Sequence, residues 1–230
     1  MPSGAIKHTN ATKIITFHSR VKAAQEFASD EVYGIKKFVY DFEVFHVHGK
    51  QKSNERKDTI GKFKKSSRSI ITNAKCLTEG VDVPAVDMVA FVDPRHSKID
   101  IAQAVGRAMR KPRGGDKKVG YIVVPIYAED TSEESLEKAI KSEGFDDVAL
   151  ILNSLMEQDQ ELVDIVSELK QAKGRGEVFN PQRLKDKIEV IGPMIGLEEL
   201  TRSIYVEAVD RLGESWDEWY GSCSDCSACE

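Results

Sequence analysis

The sequence predicts an α/β fold in which a parallel sheet is flanked by helices and followed by a C-terminal helical extension. Short apolar runs of strand length alternate with helical patterns up to about residue 128, which is typical of parallel sheets with helical crossovers. From residue 131 onwards, acidic residues become frequent and leucine recurs at helical spacing. We therefore expect an α/β domain over 10–128, a helical extension over 129–212, and a tail over 213–230 that is truncated or disordered.

Five segments have the length and the apolar or β-branched content of strands. They are residues 13–17, 42–48, 69–72, 86–92 and 119–126. The last two are apolar almost throughout, which suits parallel strands that are covered on both faces. Functional loops of a parallel sheet lie beyond the carboxyl ends of its strands. The loops after Phe17, Thr72 and Val92 are therefore the first places to look for a site.

Helical patterns fill the intervals between these strands. Residues 21–27 place apolar side chains on one face, and Ser19 is a candidate cap for that helix. In the extension, residues 150–169 carry leucine and valine at helical spacing, whereas residues 170–180 are polar, contain two glycines and predict a loop or linker. Further helices are expected over 54–63, 99–109 and 197–211.

The bulk composition is that of a globular protein with an acidic balance. Of 230 residues, 40% are hydrophobic and 31% are charged, and the formal net charge is −5. Nucleic-acid binders are more often basic overall, although a local basic strip can act within an acidic protein. No apolar run approaches the roughly 18–20 residues that span a bilayer, and the polar start carries no signal peptide. We expect a cytoplasmic protein without membrane contact.

The most informative segment is 103–110, which reads Gln-Ala-Val-Gly-Arg-Ala-Met-Arg. On a helix, Arg107 and Arg110 share one face and Gln103 lies one turn earlier on nearly the same side. Gly106 leaves the backbone open to close approach. Paired guanidinium groups suit a polyphosphate, which they contact bidentately. Taken alone, however, the segment equally fits a solvated basic helix end.

A second loop lies upstream and reads Cys-Leu-Thr-Glu-Gly-Val-Asp-Val-Pro over residues 76–84. Gly80 and Asp82 follow a predicted strand, so the loop can present backbone N–H groups and one carboxylate to a ligand. Taken alone, an ordinary Gly-Val-Asp turn is the simpler interpretation.

The order of these motifs resembles the second, C-terminal RecA-like lobe of superfamily 2 helicases and translocases. Phe-His-Ser-Arg at 17–20 resembles motif IV, 77–84 resembles motif V and 103–110 resembles motif VI. The resemblance covers 10–128 and implies a RecA-like sheet. The residues of motifs V and VI are most similar to those of helicase-like proteins of bacterial and phage restriction systems.

The resemblance implies catalytic roles for three residues of motif VI. Arg107 and Arg110 match the arginine fingers that reach the γ-phosphate of ATP, which the first lobe holds together with Mg²⁺. They would stabilise charge in the transition state of phosphoryl transfer. Gln103 matches the position that begins the motif, near the phosphates or the partner lobe.

Three further residues would lie at the nucleotide. Gly80 and Asp82 match motif V, whose aspartate lies near the ribose, and Gly106 lies beside the arginine fingers. Many family members carry threonine six residues before the motif V glycine, where this chain has Ala74. Thr72 or Thr78 could supply that hydroxyl instead.

The resemblance also implies contacts to a nucleic-acid backbone. Ser19 and Arg20 match motif IV positions beside the backbone. Gly49, Thr72 and Asn73 lie where this lobe offers polar groups to phosphates. Such contacts are independent of base sequence and sensitive to salt. We expect DNA rather than RNA.

The motifs that hold ATP in the first lobe do not occur in these 230 residues: there is no Gly-x-x-x-x-Gly-Lys-Ser/Thr and no Asp-Glu-x-His/Asp box. We therefore expect the C-terminal half of an ATP-dependent helicase or translocase, inactive alone, whose partners are a first lobe in the same polypeptide and nuclease or methyltransferase modules. The alternative is a non-catalytic nucleic-acid-binding or interaction module with a degenerate motor fold. A dinucleotide-binding fold is disfavoured because Gly-x-Gly-x-x-Gly is absent.

One histidine pair and one cysteine triplet are candidate metal sites. His46 and His48 alternate on one strand, but no third ligand stands near them in the sequence. Cys223, Cys226 and Cys229 lack a fourth ligand, which structural zinc sites require. We expect no bound metal.

Overall fold

The computed structural model describes residues 3–32, 34–74, 86–92, 120–130, 132–142, 145–177, 181–191 and 197–221. The chain divides into two compact units, Met1–Pro125 and Ile126–Glu230. All described strands belong to the first unit, and the described part of the second unit is helical.

The predicted parallel sheet is confirmed. Its described strands are β1 (Lys13–His18), β2 (Glu43–His48), β3 (Ser69–Ala74), β4 (Met88–Phe91) and β5 (Tyr121–Val123). They lie in the order β2-β3-β1-β4-β5, and every neighbouring pair is parallel. Strands β4 and β5 are shorter than the predicted 86–92 and 119–126. Apolar character indicates burial rather than pairing, and Val86 is buried although it precedes the paired residues of β4.

Helices flank the sheet, as expected. The described helices of the first unit are α1 (Ser3–Thr9), α2 (Val21–Phe27) and α3 (Ser53–Lys65), with a 3₁₀ turn at Ile35–Lys37. Helix α1 was not predicted and precedes the expected domain start. It is followed by Asn10 at φ 54°, a left-handed conformation that asparagine adopts more readily than most residues. The helix predicted over 99–109 lies outside the described residues.

The two faces of the sheet are packed differently. On one face, Ile14, Ile70 and Met88 are register neighbours that pack in one buried cluster with residues of α1 and α2. On the other face, the ring of Phe45 meets that of Phe63 in α3 edge-on, with 6.4 Å between centroids. Full burial of side chains of this size stabilises the fold by roughly 1.5–3 kcal/mol each.

Two charged side chains secure the amino ends of the strands. Asp87 Oδ2 accepts hydrogen bonds from the backbone N–H groups of Thr12 and Lys13, at 2.9 Å each, and so joins the start of β4 to the start of β1. Lys13 Nζ donates to the Phe63 carbonyl at 2.6 Å, to the Ser66 carbonyl and to Ser69 Oγ at 3.1 Å. A cation thus satisfies carbonyls at the carboxyl end of α3.

A polar layer lies between the sheet and α2 near the carboxyl ends of the strands. Thr16, Thr72 and His46 are register neighbours on β1, β3 and β2. The His46 Nδ1 atom lies 2.8 Å from Thr72 Oγ1, while His18 Nε2 lies 3.0 Å from Thr16 Oγ1. Burial, and secondarily the nearby His48, lower the pKa of His46. Its Nε2 atom is buried without a hydrogen-bond partner, so a second ring proton would be poorly accommodated.

The second unit is built around its last described helix, α7 (Leu197–Gly221). This helix packs against the three preceding helices and encloses a core that includes Phe145, Val166, Tyr205 and Leu212. Ser132 Oγ and Asp159 Oδ1 accept backbone N–H groups and cap two of the helices. The helices are α4 (Glu133–Ile140), α5 (Asp146–Met156), α6 (Gln160–Gly174) and α7 (Leu197–Gly221), with a 3₁₀ segment at Pro181–Asp186.

Two predictions about this unit need correction. Residues 170–174 of the expected linker belong to α6. The helix continues for one turn beyond Leu169, its last buried residue, because lysine, glutamine and alanine favour helix and an exposed glycine is tolerated at the end. Helix α7 passes the expected end at residue 211 and enters the segment predicted as a tail. Among the described residues, no helix combines the length and apolarity needed to cross a bilayer.

Replacing Lys13 by Met should lower the free energy of unfolding by about 1–3 kcal/mol, because the carbonyls at the end of α3 lose their charged donor. Urea denaturation would measure the loss. Lys57→Met, on the exposed side of α3, should change stability by less than about 0.5 kcal/mol. Equal effects of the two substitutions would contradict the capping role of Lys13.

The lowered pKa of His46 predicts a pH-dependent stability. Between the folded and unfolded pKa values, the unfolded chain binds more protons, so stability rises with pH. The contribution is complete above the unfolded value of about 6.5 and is lost as the pH falls below it. His46→Gln should flatten the dependence of the unfolding free energy on pH below about 6.5. An unchanged slope would contradict this role.

Candidate nucleic-acid interface

Three strands end side by side and bring the predicted backbone-contacting segments together. The register aligns His18 at the end of β1 with Ala74 of β3, and Ala74 with His48 of β2. The chain therefore leaves β1 towards Ser19 and leaves β2 towards Gly49 at the same edge of the sheet. Parallel pairing thus places the predicted segments on neighbouring strands.

The segment after β1 presents one basic side chain to solvent. Ser19 is half-buried and Arg20 is exposed. Arg20, rather than Ser19, occupies the N-cap position of α2, and it makes no side-chain cap hydrogen bond. Its backbone is extended, and its carbonyl accepts the first helical hydrogen bond, from Ala24 N–H at 3.1 Å. The guanidinium group is therefore not used to cap the helix.

The segment after β2 is a tight turn from His48 to Gln51. The Gln51 N–H donates to the His48 carbonyl at 3.1 Å and closes the turn around Gly49 and Lys50. The Lys50 N–H donates to His48 Nδ1 at 3.2 Å, and the His48 N–H donates to Gln51 Oε1 at 3.1 Å. Both central residues are exposed. Helix α3 begins two residues after the turn.

The two predicted contact residues of β3 lie inside the protein. Thr72 is fully buried and Asn73 is 1% exposed. The Thr72 hydroxyl is engaged with His46 in the polar layer, and Asn73 lies in register with Phe17 and Val47. In this conformation these side chains lie beneath the strand ends, whereas Arg20 and Gly49 are at the surface.

Basic side chains surround the two exposed segments. Arg20, Lys50 and Lys52 are exposed, and Arg56 in the first turns of α3 is half-buried. Helix α3 starts after Lys52 without a side-chain cap. Cations and unpaired helix N–H groups both attract anions.

The two units carry opposite net charge. The first unit has 23 basic and 13 acidic residues, a formal charge of +10, whereas the second has 10 and 25, a formal charge of −15. In the second unit, seven of the ten basic residues form ion pairs with carboxylates of the same unit. They are Lys138, Lys141, Lys173, Arg175, Arg183, Lys187 and Arg211. The positive charge available to a polyanion therefore belongs mainly to the first unit.

Six of the predicted site residues lie outside the described residues, as do the cysteines at 223, 226 and 229. These six remain predictions from the sequence: Gly80, Asp82, Gln103, Gly106, Arg107 and Arg110.

In the part of the chain that the structure describes, no group of three or more His, Cys, Asp or Glu residues could hold a metal ion. The rings of His46 and His48 do lie on one face, with 5.4 Å between centroids. However, His46 Nδ1 is engaged with Thr72, and His48 Nδ1 accepts the Lys50 N–H. Their polar contacts are those of structural residues.

Lys50 and Gln51 are not among the site residues that the sequence predicts. The segment His-Gly-Lys-Gln does contain a ring nitrogen and an amide that can bond backbone groups two and three residues away, which is typical of a side-chain-stabilised turn.

Comparison with known sequences gives one family. Residues 3–112 match the family described as "Helicase conserved C-terminal domain". The ATP-dependent RNA helicase HAS1 of Candida glabrata is 30% identical over 118 residues, which are 51% of this chain and 23% of that protein. DDX47 of Drosophila melanogaster, also an ATP-dependent RNA helicase, is 40% identical over 70 residues, or 30% of this chain and 14% of that protein. The chain thus spans less than a quarter of these relatives.

A solved structure is similar over almost the whole chain. It is the "ATP-dependent Type ISP restriction-modification enzyme LlaBIII bound to DNA", with a TM-score of 0.68 at 21% identity over 96% of this chain and 16% of that one. This likeness concerns the fold. The sequence relatives above are eukaryotic RNA helicases, so the expected restriction-system origin is not shown. The parallel sheet and its register give the first unit a RecA-like α/β fold, and residues 3–112 are similar to the helicase C-terminal domain family.

Proposed function

We propose that this chain is the C-terminal half of an ATP-dependent nucleic-acid helicase or translocase, and that its first unit holds the nucleic-acid backbone at the carboxyl edge of β1, β2 and β3. The observation that carries the proposal is that Arg20 and the Gly49–Lys50 turn lie at the same edge of the sheet, after the two strands that flank β3. The net charge of +10 on the same unit supports it.

The chemistry at this edge suits phosphates rather than bases. Arg20 and Lys50 are exposed cations, and the described segments present no exposed aromatic ring beside them on which a base could stack. Ser19 would contribute a hydroxyl and Gly49 a backbone that a phosphate can approach closely. In this proposal the buried residues Thr72 and Asn73 do not contact the nucleic acid, but stabilise the ends of the strands that carry the exposed segments.

The nucleotide site would be shared with a first lobe. The donor set of this chain fits a polyphosphate by its chemistry, since Arg107 and Arg110 stay charged at physiological pH and Gln103 can hydrogen-bond. ATP held with Mg²⁺ would supply the free energy for movement along the strand. Gly80, Asp82 and Gly106 would approach that nucleotide from this side.

The kind of nucleic acid is part of the proposal. The residues of motifs V and VI favour DNA and a restriction-system motor, with nuclease or methyltransferase modules as further partners. The relatives named as RNA helicases favour RNA instead. Backbone contacts of the proposed kind do not by themselves distinguish the two, so both must be measured.

Arg20→Ala should weaken binding of the chain to single-stranded oligonucleotides about 3- to 10-fold and reduce the salt slope of log K by roughly one phosphate equivalent. Fluorescence anisotropy with labelled oligo-dT and oligo-U at several salt concentrations would measure both. Arg202→Ala, an exposed arginine of the second unit, is the matched control and should leave binding unchanged. Equal effects of the two substitutions would count against the proposed interface.

The purified chain should show negligible Mg²⁺-dependent ATP hydrolysis, with or without oligonucleotide, because the groups that hold the β- and γ-phosphates are expected on the first lobe. A phosphate-release assay measures this directly. Robust turnover that Arg110→Ala abolishes would show that the chain carries a complete site.

A further inference from the structure

The His48 side chain organises the turn that follows β2. Three hydrogen bonds of this short segment involve His48: its carbonyl accepts from Gln51 N–H at 3.1 Å, its ring Nδ1 accepts from Lys50 N–H at 3.2 Å, and its own N–H donates to Gln51 Oε1 at 3.1 Å. We propose that His48 is a positioning residue, which holds the Gly49–Lys50 turn in the conformation that receives a nucleic-acid phosphate. The inference rests on the function proposed above.

The hydrogen bond from the Lys50 N–H to the His48 ring determines the tautomer of that ring. A nitrogen that accepts a hydrogen bond carries no proton, so the neutral ring has its proton on Nε2. The bond from Nδ1 to the N–H two residues later has the connectivity of an Asx turn, in which an Asn or Asp side chain bonds the same backbone group. Asparagine should therefore replace His48 in this role, whereas alanine cannot.

The turn is anchored on both sides. On one side, His48 is the last residue of β2, where it pairs in register with Ala74 of β3, and its ring is half-buried beside His46. On the other side, Gln51 is followed at once by Lys52, after which α3 begins. The side chains of His48 and Gln51 thus tie the strand end to the helix start across two exposed residues.

The hydrogen bonds of His48 and Gln51 affect nucleic-acid binding by ordering the turn, and not by direct contact with the phosphate. A turn of two exposed residues, one of them glycine, has many accessible conformations when its side-chain bonds are removed. Holding it in one conformation before binding avoids that ordering cost when a phosphate arrives. His48 need not touch the ligand for its loss to weaken binding.

The test compares His48→Ala, His48→Asn and Gln51→Ala in the full chain, by anisotropy with labelled oligo-dT and oligo-U at one fixed salt concentration. Because His48→Ala loses one hydrogen bond of the turn, it should bind the oligonucleotides about 3- to 10-fold more weakly than wild type. Gln51→Ala should also bind more weakly than wild type. Binding of His48→Asn should stay within about twofold of wild type, because the i to i+2 bond is restored. Thermal unfolding of each variant verifies folding.

The outcomes separate the two proposals. If wild type binds and Arg20→Ala weakens binding, but a folded His48→Ala binds as wild type, the positioning role is overturned and the interface stands. If His48→Asn is as weak as His48→Ala, the turn bond is not the cause and the positioning role is again overturned. If wild type binds neither oligonucleotide, the proposed function is overturned, and the positioning role that rests on it is overturned as well.

Discussion

The parallel register of β1, β2 and β3 is the constraint on which the rest of the first unit depends. Because His18, Ala74 and His48 lie side by side, every segment that leaves these strands starts at one edge. Residues far apart in the sequence, such as Arg20 and Lys50, reach the same region only through this pairing. The contacts of Asp87 and Lys13 hold the amino ends of the strands, at the edge of the sheet opposite the candidate site.

Much of the fold could be read from the sequence because hydrophobic burial follows simple periods. The strands at 13–17 and 42–48 were located within a residue or two, and the parallel arrangement followed from their alternation with helices. Helix α1 was missed because seven residues with two buried side chains give too short a pattern. The end of α6 lies beyond the predicted boundary because glycine suggests a loop, whereas the helix-forming residues after Leu169 continue the last turn.

The candidate site was less accessible to sequence reasoning. Motif wording indicated Arg20 and Gly49, but it could not distinguish an exposed contact from a buried support. Thr72 and Asn73 matched the pattern as well as Arg20 did, yet they lie in the interior. Burial depends on neighbouring strands that are distant in the sequence, and so does the pairing of His46 with Thr72. The sequence His-Gly-Lys-Gln permits a turn fixed by a histidine ring, but only the structure shows that its hydrogen bonds form.

The opposite charges of the two units make the isoelectric point a misleading quantity for this protein. At a pI of about 5.7 the whole chain is formally neutral, although a basic and an acidic surface persist on it. Neutrality then does not mean an absence of electrostatic attraction between molecules, since the acidic surface of one copy attracts the basic surface of another. Dilute buffers should consequently promote reversible clustering of the chain, and added salt should disperse it.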